Sequence, residues 1–180
     1  MTSSTTIEFR KLSKKDSRTG FGCGEPELDL FFQRYAKQNQ YRHYLGVTYV
    51  GVQDGVILGF ATLSPCNIET EALSDEQRGK LPAYPLPMLR LARLGVSEQA
   101  QGKGVGKILL RGVFELALKM RDDMGSVGVV TDAKPSAITF YQHYGFGAYG
   151  IPIEGRSVGP PPPLPMFLSI KTIAKAAGRT

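Results

Sequence analysis

"QGKGVGKILL", residues 101–110, sets three glycines and two lysines in its first seven positions and then breaks into an apolar helical pattern. A glycine loop that opens a helix is a phosphate-binding arrangement. The first N–H groups of a helix have no intrahelical partner, and the helix dipole adds about half a positive charge there. Glycines let an anion approach that bare backbone, and Lys103 and Lys107 add charge. The flanks agree. "MLRLARLGV" (88–96) reads as a strand. Ile108, Leu109, Val113, Leu116, Ala117 and Met120 recur at helical spacing up to a capping Gly125. "SVGVVTD" (126–132) follows as a short apolar strand, so 88–132 reads as a βαβ unit.

Three nucleotide-binding loops compete for this pattern, and two fall on spacing. A Walker A loop needs G-x-x-x-x-G-K-[ST]. Here Gly102 and Gly106 are only four apart, and Lys107 is followed by Ile108, which offers magnesium no hydroxyl. A dinucleotide fingerprint needs G-x-G-x-x-G. Gly102 and Gly104 are followed by Lys107 at the third glycine position, and the loop comes late, after antiparallel strands.

The rest of the chain supplies those strands. "TTIEFRKL" (5–12) alternates and reads as the first one. "PELDLFFQRYAKQNQY" (26–41) reads as a helix started by Pro26. It buries Leu28, Phe31, Phe32, Tyr35 and Ala36, with Arg34, Lys37 and Tyr41 on another face. "LGVTYVGVQDGVILGFATLSPC" (45–66) reads as a hairpin that turns at Asp54-Gly55. "LSDEQRGKL" (73–81) opens a short helix with a Ser74/Gln77 capping box, and "YPLP" (84–87) is a stiff connector. "PSAITFYQHYGF" (135–146) is a short helix between Pro135 and Gly145. After the polyproline run "GPPPPLP" (159–165), "MFLSIKTI" (166–173) reads as a last strand. No repeat and no boundary interrupts the pattern, so a single α/β (α+β) domain over residues 1–180 is expected.

Composition narrows the partners. Of 180 residues 42% are hydrophobic, enough for a sizeable core, and 21% are charged, too few for disorder. Lys plus Arg number 22 against 16 Asp plus Glu, and the net +6 suits an anionic ligand or nucleic acid. Cys23 and Cys66 match no metal-ligand spacing and there are two His, so no metal is expected and both thiols are expected reduced. The N-terminus has no secretory apolar region and no run nears the ~20 residues that span a bilayer. A cytoplasmic protein with no membrane partner is the expectation.

The third loop pattern fits. Gln101-x-x-Gly104-x-Gly106 resembles the Q/R-x-x-G-x-G/A loop of the GCN5-related N-acetyltransferases (GNAT). Ala137, Phe140, Tyr141, Gly145 and Phe146 resemble that family's A-x-x-F-Y-x-x-x-G-F, and the order of elements matches over about 7–173. The resemblance implies a GNAT fold: a mixed, mostly antiparallel sheet, splayed at the acetyl-CoA site and flanked by helices. It implies acetyl-CoA as co-substrate, its pyrophosphate on the N–H groups of Gly102, Lys103, Gly104, Val105, Gly106 and Lys107. Leu94, Gly95 and Val96 would pair with the pantetheine arm, Gln101 would steady the loop, and Tyr141 would be the general acid. A tyrosine of ordinary pKa, about 10, is protonated at neutral pH. Phe140 and Tyr144 read as core aromatics. Lys134 stands where many members carry Asn. Glu69, Glu71 and Glu98 are the base candidates, although a free α-amine, near 8, needs no strong base.

A narrower resemblance covers 21–40, 91–110 and 131–146, with Cys23-Gly24-x-Pro26-Glu27-Leu28 and Tyr35-Ala36-x-Gln38-Asn39 as its discriminating pieces. These segments are similar to the acetyltransferase toxins of bacterial type II toxin–antitoxin systems, and Asp132-Ala133-Lys134 fits that subgroup. Those enzymes acetylate the α-amine of aminoacyl-tRNA and block translation. The resemblance implies an aminoacyl-tRNA substrate, a cognate ribbon-helix-helix antitoxin and a homodimer. Arg34, Lys37, Arg90 and Arg93 are the candidates for tRNA phosphates, with Arg42 and His43 nearby. Arg90 and Arg93 point to opposite sides of their strand, and Arg93, inside an apolar strand, calls for a purpose such as a salt bridge. The competing readings are acetylation of a small amine or protein N-terminus, and a non-catalytic acyl-CoA-binding regulatory module.

Overall fold

Asp54-Gly55 turns the chain as a two-residue hairpin must. In the computed structural model, which describes residues 6–150 and 162–179, both hold positive φ, 52° and 76°. That is the twist that lets β2 (Val47–Gln53) and β3 (Val56–Ile68) pair without splaying. β1 (Glu8–Lys11) pairs antiparallel with the far side of β2. The chain forms two compact units, one of Met1–Ser64 with Leu91–Glu115, the other of Pro65–Arg90 with Leu116–Thr180. β3, β4 (Leu86–Val96) and α4 (Val105–Asp123) run through both.

The first unit holds the order β1-β2-β3, with β4 beside β3. Its register carries a shift that alternation alone does not reveal. Gly51 faces Gly59, but Val52 faces Ile57, so Leu58 is the extra residue of a β-bulge. Ile57 and Phe60 consequently serve one apolar cluster, and Leu58 another. The first cluster joins Leu12, Phe21, Phe31, Phe32, Val50 and Phe60, with Phe32 stacked on Phe60 at 4.5 Å. The second joins Val105 and Leu109 of α4 to Phe9, Leu58, Leu94 and Val96.

The predicted helix 26–41 forms, but as α1 (Pro26–Leu30), one π-helical turn (Phe31–Tyr35) and α2 (Ala36–Tyr41). The widened turn lets the adjacent Phe31 and Phe32 both be buried. It also swings Tyr35 out of the expected stripe, to 47% exposure. Arg18 caps the turn, its guanidinium donating to the Phe32 carbonyl at 2.9 Å.

In the second unit β5 (Gly128–Ala133) pairs antiparallel with β7 (Leu164–Ser169), and β6 (Gly147–Ala148) lies outside β7. β4 neighbours β5. The capping box forms as read: the Ser74 hydroxyl accepts from the Gln77 N–H and opens α3 (Asp75–Arg78). A 3₁₀ turn at Pro135–Ala137 leads into α5 (Ile138–His143), closed by Gly145 at φ 95°. The expected strand 166–173 ends instead at Ser169, whose hydroxyl accepts the N–H groups of Lys171 and Thr172 and starts α6 (Ile170–Ala176). Ile170, Ile173 and Ala174 are buried at helical spacing, so capping and burial act together there. Residues 159–161 of the polyproline run lie outside the described residues. The architecture is a mixed, mostly antiparallel sheet flanked by helices. Among the described residues no helix is long and apolar enough to cross a membrane.

Gly112 of α4 shows how tightly the first unit is packed. A Cβ there would lie 2.5 Å from the ring of Phe9, which stacks on Tyr49. Gly112→Ala should therefore destabilise the fold by about 1–2 kcal/mol, overpacking outweighing the gain in helix propensity. A fall in the urea midpoint measures it; an unchanged or raised midpoint contradicts the packing.

Candidate functional site

The loop before α4 is built to hold an anion. Gly102 and Gly104 have φ of 75° and 80°, which only glycine adopts freely. A Cβ on either would meet no heavy atom within 4 Å, so the requirement is conformational rather than steric. The first protein bond of this helix is Ile108 N–H to Gly104 O, at 3.2 Å. Among the described residues the N–H groups from Gly102 to Lys107 donate to no backbone carbonyl outside the helix and to no side chain. Bare donors converge at the positive end of a 19-residue helix, with Lys103 and Lys107 exposed beside them. This is the chemistry a pyrophosphate fits.

Gln101 ties the loop down. Its amide donates to Cys23 O at 2.8 Å and to Val96 O at 3.0 Å, bridging the loop before α1 to the end of β4. Glu98 N–H adds a second tie, to Gly22 O at 2.9 Å. Gly95 is required by its surroundings: a Cβ would sit 2.8 Å from the Phe60 ring and 3.4 Å from Cys23 Sγ. Leu94 and Val96 are half-buried against the α4 cluster. Burial pushes the Cys23 thiol up to about 11, so it stays protonated and is no nucleophile at neutral pH.

Tyr141 is the buried residue of α5, 5% exposed, while Phe140 and Tyr144 are only half-buried. The expectation of Phe140 and Tyr144 as the core aromatics is thus reversed. Phe140 and Phe146 meet the Tyr141 ring edge-on, each at 5.3 Å. Burial pushes its hydroxyl up to about 12, opposed by a hydrogen bond with the Thr131 side chain of β5. A tyrosine so placed keeps its proton and has a partner to orient it. Thr131 was invisible to pattern reading, since a short apolar strand without alternation gives no sign of where its one hydroxyl points.

The basic residues separate. Arg93 lies over the Phe31 ring with its guanidinium carbon 3.8 Å from the centroid, and burial lowers its pKa. The expected salt bridge is replaced by this cation–π contact. Arg90 is paired with Asp132 at 3.2 Å. Arg34 is exposed on the π turn, and Lys37 is half-buried on α2. Glu69, Glu71 and Glu98 are all exposed. Among the described residues no group of three or more His, Cys, Asp or Glu is placed to hold a metal ion.

A family profile described as an acetyltransferase (GNAT) domain matches residues 45–147. A "tRNA-acetylating toxin" of Mycobacterium tuberculosis is 29% identical over 165 residues, 90% of this chain and 91% of the toxin. A structure of a tyrosine-to-phenylalanine mutant of KacT superposes with a TM-score of 0.80 at 26% identity, over 95% of this chain and 99% of that one. A structure described as AtaTR bound with acetyl-CoA gives 0.74 at 26% identity, over 96% and 98%.

If Gln101 sets the loop, Gln101→Leu should weaken acetyl-CoA binding about tenfold, the order of effect of losing two hydrogen bonds. It should cost about 1–2 kcal/mol of stability, because the part-buried Cys23 carbonyl loses its donor. Calorimetric titration with a parallel urea melt checks both; unchanged affinity would remove Gln101 from this role.

Proposed function

The chain belongs to the GNAT acetyltransferase family, and on that footing we propose that it transfers the acetyl group of acetyl-CoA to the α-amine of an amino acid carried on tRNA, blocking translation. That it is an acetyltransferase follows from the family. The choice of acceptor is carried by one observation, the likeness of nine-tenths of the chain to a tRNA-acetylating toxin. An antitoxin of the ribbon-helix-helix type, a homodimer and a cytoplasmic site of action belong to the same proposal. The charge pattern supports it: between Asp29 and Asp54 the chain carries Arg34, Lys37 and Arg42 and no acidic residue.

The residues divide the work. The N–H groups of Gly102–Lys107 bind the pyrophosphate, with Lys103 and Lys107 adding charge. The backbone of Leu94, Gly95 and Val96 pairs with the pantetheine arm, as a strand is added to a sheet. The acceptor α-amine, ordinarily near 8 and lowered by the adjacent ester, attacks without a strong protein base. As the C–N bond forms and the C–S bond breaks, Tyr141 gives its proton to the departing thiolate, and the amine proton goes to solvent. Arg34, Lys37 and Arg93 face the tRNA phosphates. Arg90 takes the weakest part in this scheme, its charge already shared with Asp132.

Incubation with labelled acetyl-CoA and charged tRNA tests the acceptor. Label is expected on the aminoacyl moiety; label only on polyamines or peptides would favour the small-amine reading instead. Tyr141→Phe should lower kcat about 100-fold or more while acetyl-CoA affinity stays within about twofold. Because a donor raised to about 12 loses its proton only as pH climbs through that value, kcat should show no tyrosine-dependent alkaline fall below about pH 11. A basic limb near pH 9 that vanishes in the phenylalanine variant would contradict the buried, protonated donor.

A further inference from the structure

α2 ends in a strained, exposed corner that the scheme above does not use. His43 N–H donates to Gln38 O at 3.1 Å and Leu45 N–H to Asn39 O at 2.9 Å. The residue between them must be left-handed, a position that glycine normally takes. Here it is Tyr44, at φ 55°. A bulky side chain is strained there, and such strain persists where something other than packing retains it. Packing gives nothing back: Tyr44 is 82% exposed and Leu45 65%.

The surroundings say what the ring is for. Arg42 and His43 precede it directly, and both are exposed. Lys14 reaches across with its Nζ 5.1 Å from the Tyr41 ring centroid, bringing a cation from the loop after β1 to the end of α2. The acid of that loop, Asp16, is already held by both terminal nitrogens of Arg10, at 2.8 Å each. Among the described residues neither Lys14 nor Arg42 has a carboxylate partner. A bare aromatic face among unpaired cations is the combination that binds an unpaired nucleotide: the ring stacks on the base and the cations take the phosphates. An acidic peptide would satisfy the cations and leave the strained ring unexplained. A second copy of the chain would set like charges against each other.

We propose that Tyr44 is a stacking platform for an unpaired base of the tRNA substrate, with Arg42 and Lys14 on the adjoining phosphates; this rests on the tRNA reading above. Tyr44→Gly separates the fold from the function, because glycine relieves the positive φ while removing the ring. Its melting temperature should stay level or rise. Its affinity for uncharged tRNA should fall about tenfold or more, within the range that loss of one stacked base produces. Tyr44→Phe keeps the ring and should bind within about twofold of the parent. Arg42→Gln should lower the salt dependence of tRNA binding by about one unit of log–log slope. Tyr44→Gly binding tRNA like the parent overturns the platform, as does a halved mass in sedimentation with tRNA affinity intact, which would mark the corner as a self-association face. The two readings fail separately. A chain whose tRNA binding needs Tyr44 but which does not acetylate aminoacyl-tRNA keeps the platform and loses the acceptor. One that acetylates with the same KM in Tyr44→Gly loses the platform alone.

Discussion

Bare N–H groups at the start of α4 are the constraint on which the rest of the donor side depends. Water satisfies such exposed donors when no ligand is there, but an anion can engage several of them at once and gains from the helix dipole as well. Positive φ at Gly102 and Gly104 keeps the run open. What fixes the loop in place is neither glycine nor lysine but the Gln101 amide, which holds two carbonyls from different segments at once. Gly95 lets β4 pass close to Phe60, and Gly59 lets β3 pass within reach of Gly95 O and Leu109. Small residues therefore set the backbone spacing, and one polar side chain locks it.

Charge is distributed with a similar economy. Several cations are spent on internal partners: Arg10 on Asp16, Arg90 on Asp132, Arg18 on the Phe32 carbonyl. Among the described residues Lys14, Arg42 and Arg93 have no such carboxylate, and Arg93 is instead held by an aromatic face that fixes its direction without neutralising it. Exposed ion pairs add little to stability. Cations free of a carboxylate are the ones that can act on a partner: among the described residues Lys14, Arg34 and Arg42 lie in or against the segment from Phe31 to Tyr44, and Lys103 and Lys107 lie beside the glycine loop.

Where local chemistry decides, sequence and structure agree. The Asp54-Gly55 turn, the Ser74/Gln77 capping box, the Pro26 and Pro135 starts and the Gly125 and Gly145 stops all stand where their residue types require. Departures arise where packing decides. The π turn at Phe31–Tyr35 answers to the aromatic cluster on Phe60, and it exposes Tyr35 against its helical register. The bulge at Leu58 splits an apparently uniform strand between two clusters. Ser169 looked like one residue of a strand, because its role as a cap depends on where β7 ends. At the site the glycine loop and Tyr141 were legible from spacing and resemblance. Thr131 and the Phe31 seat of Arg93 were not, since both are long-range contacts.

Binding of acetyl-CoA and of S-acetylpantetheine, compared by calorimetry, measures the anion cradle directly. With the pyrophosphate on the N–H groups of Gly102–Lys107, the truncated thioester should bind at least about 100-fold more weakly, and Gln101→Leu should narrow that gap. Equal affinity for the two thioesters would contradict the assignment of the loop as the site that holds the donor.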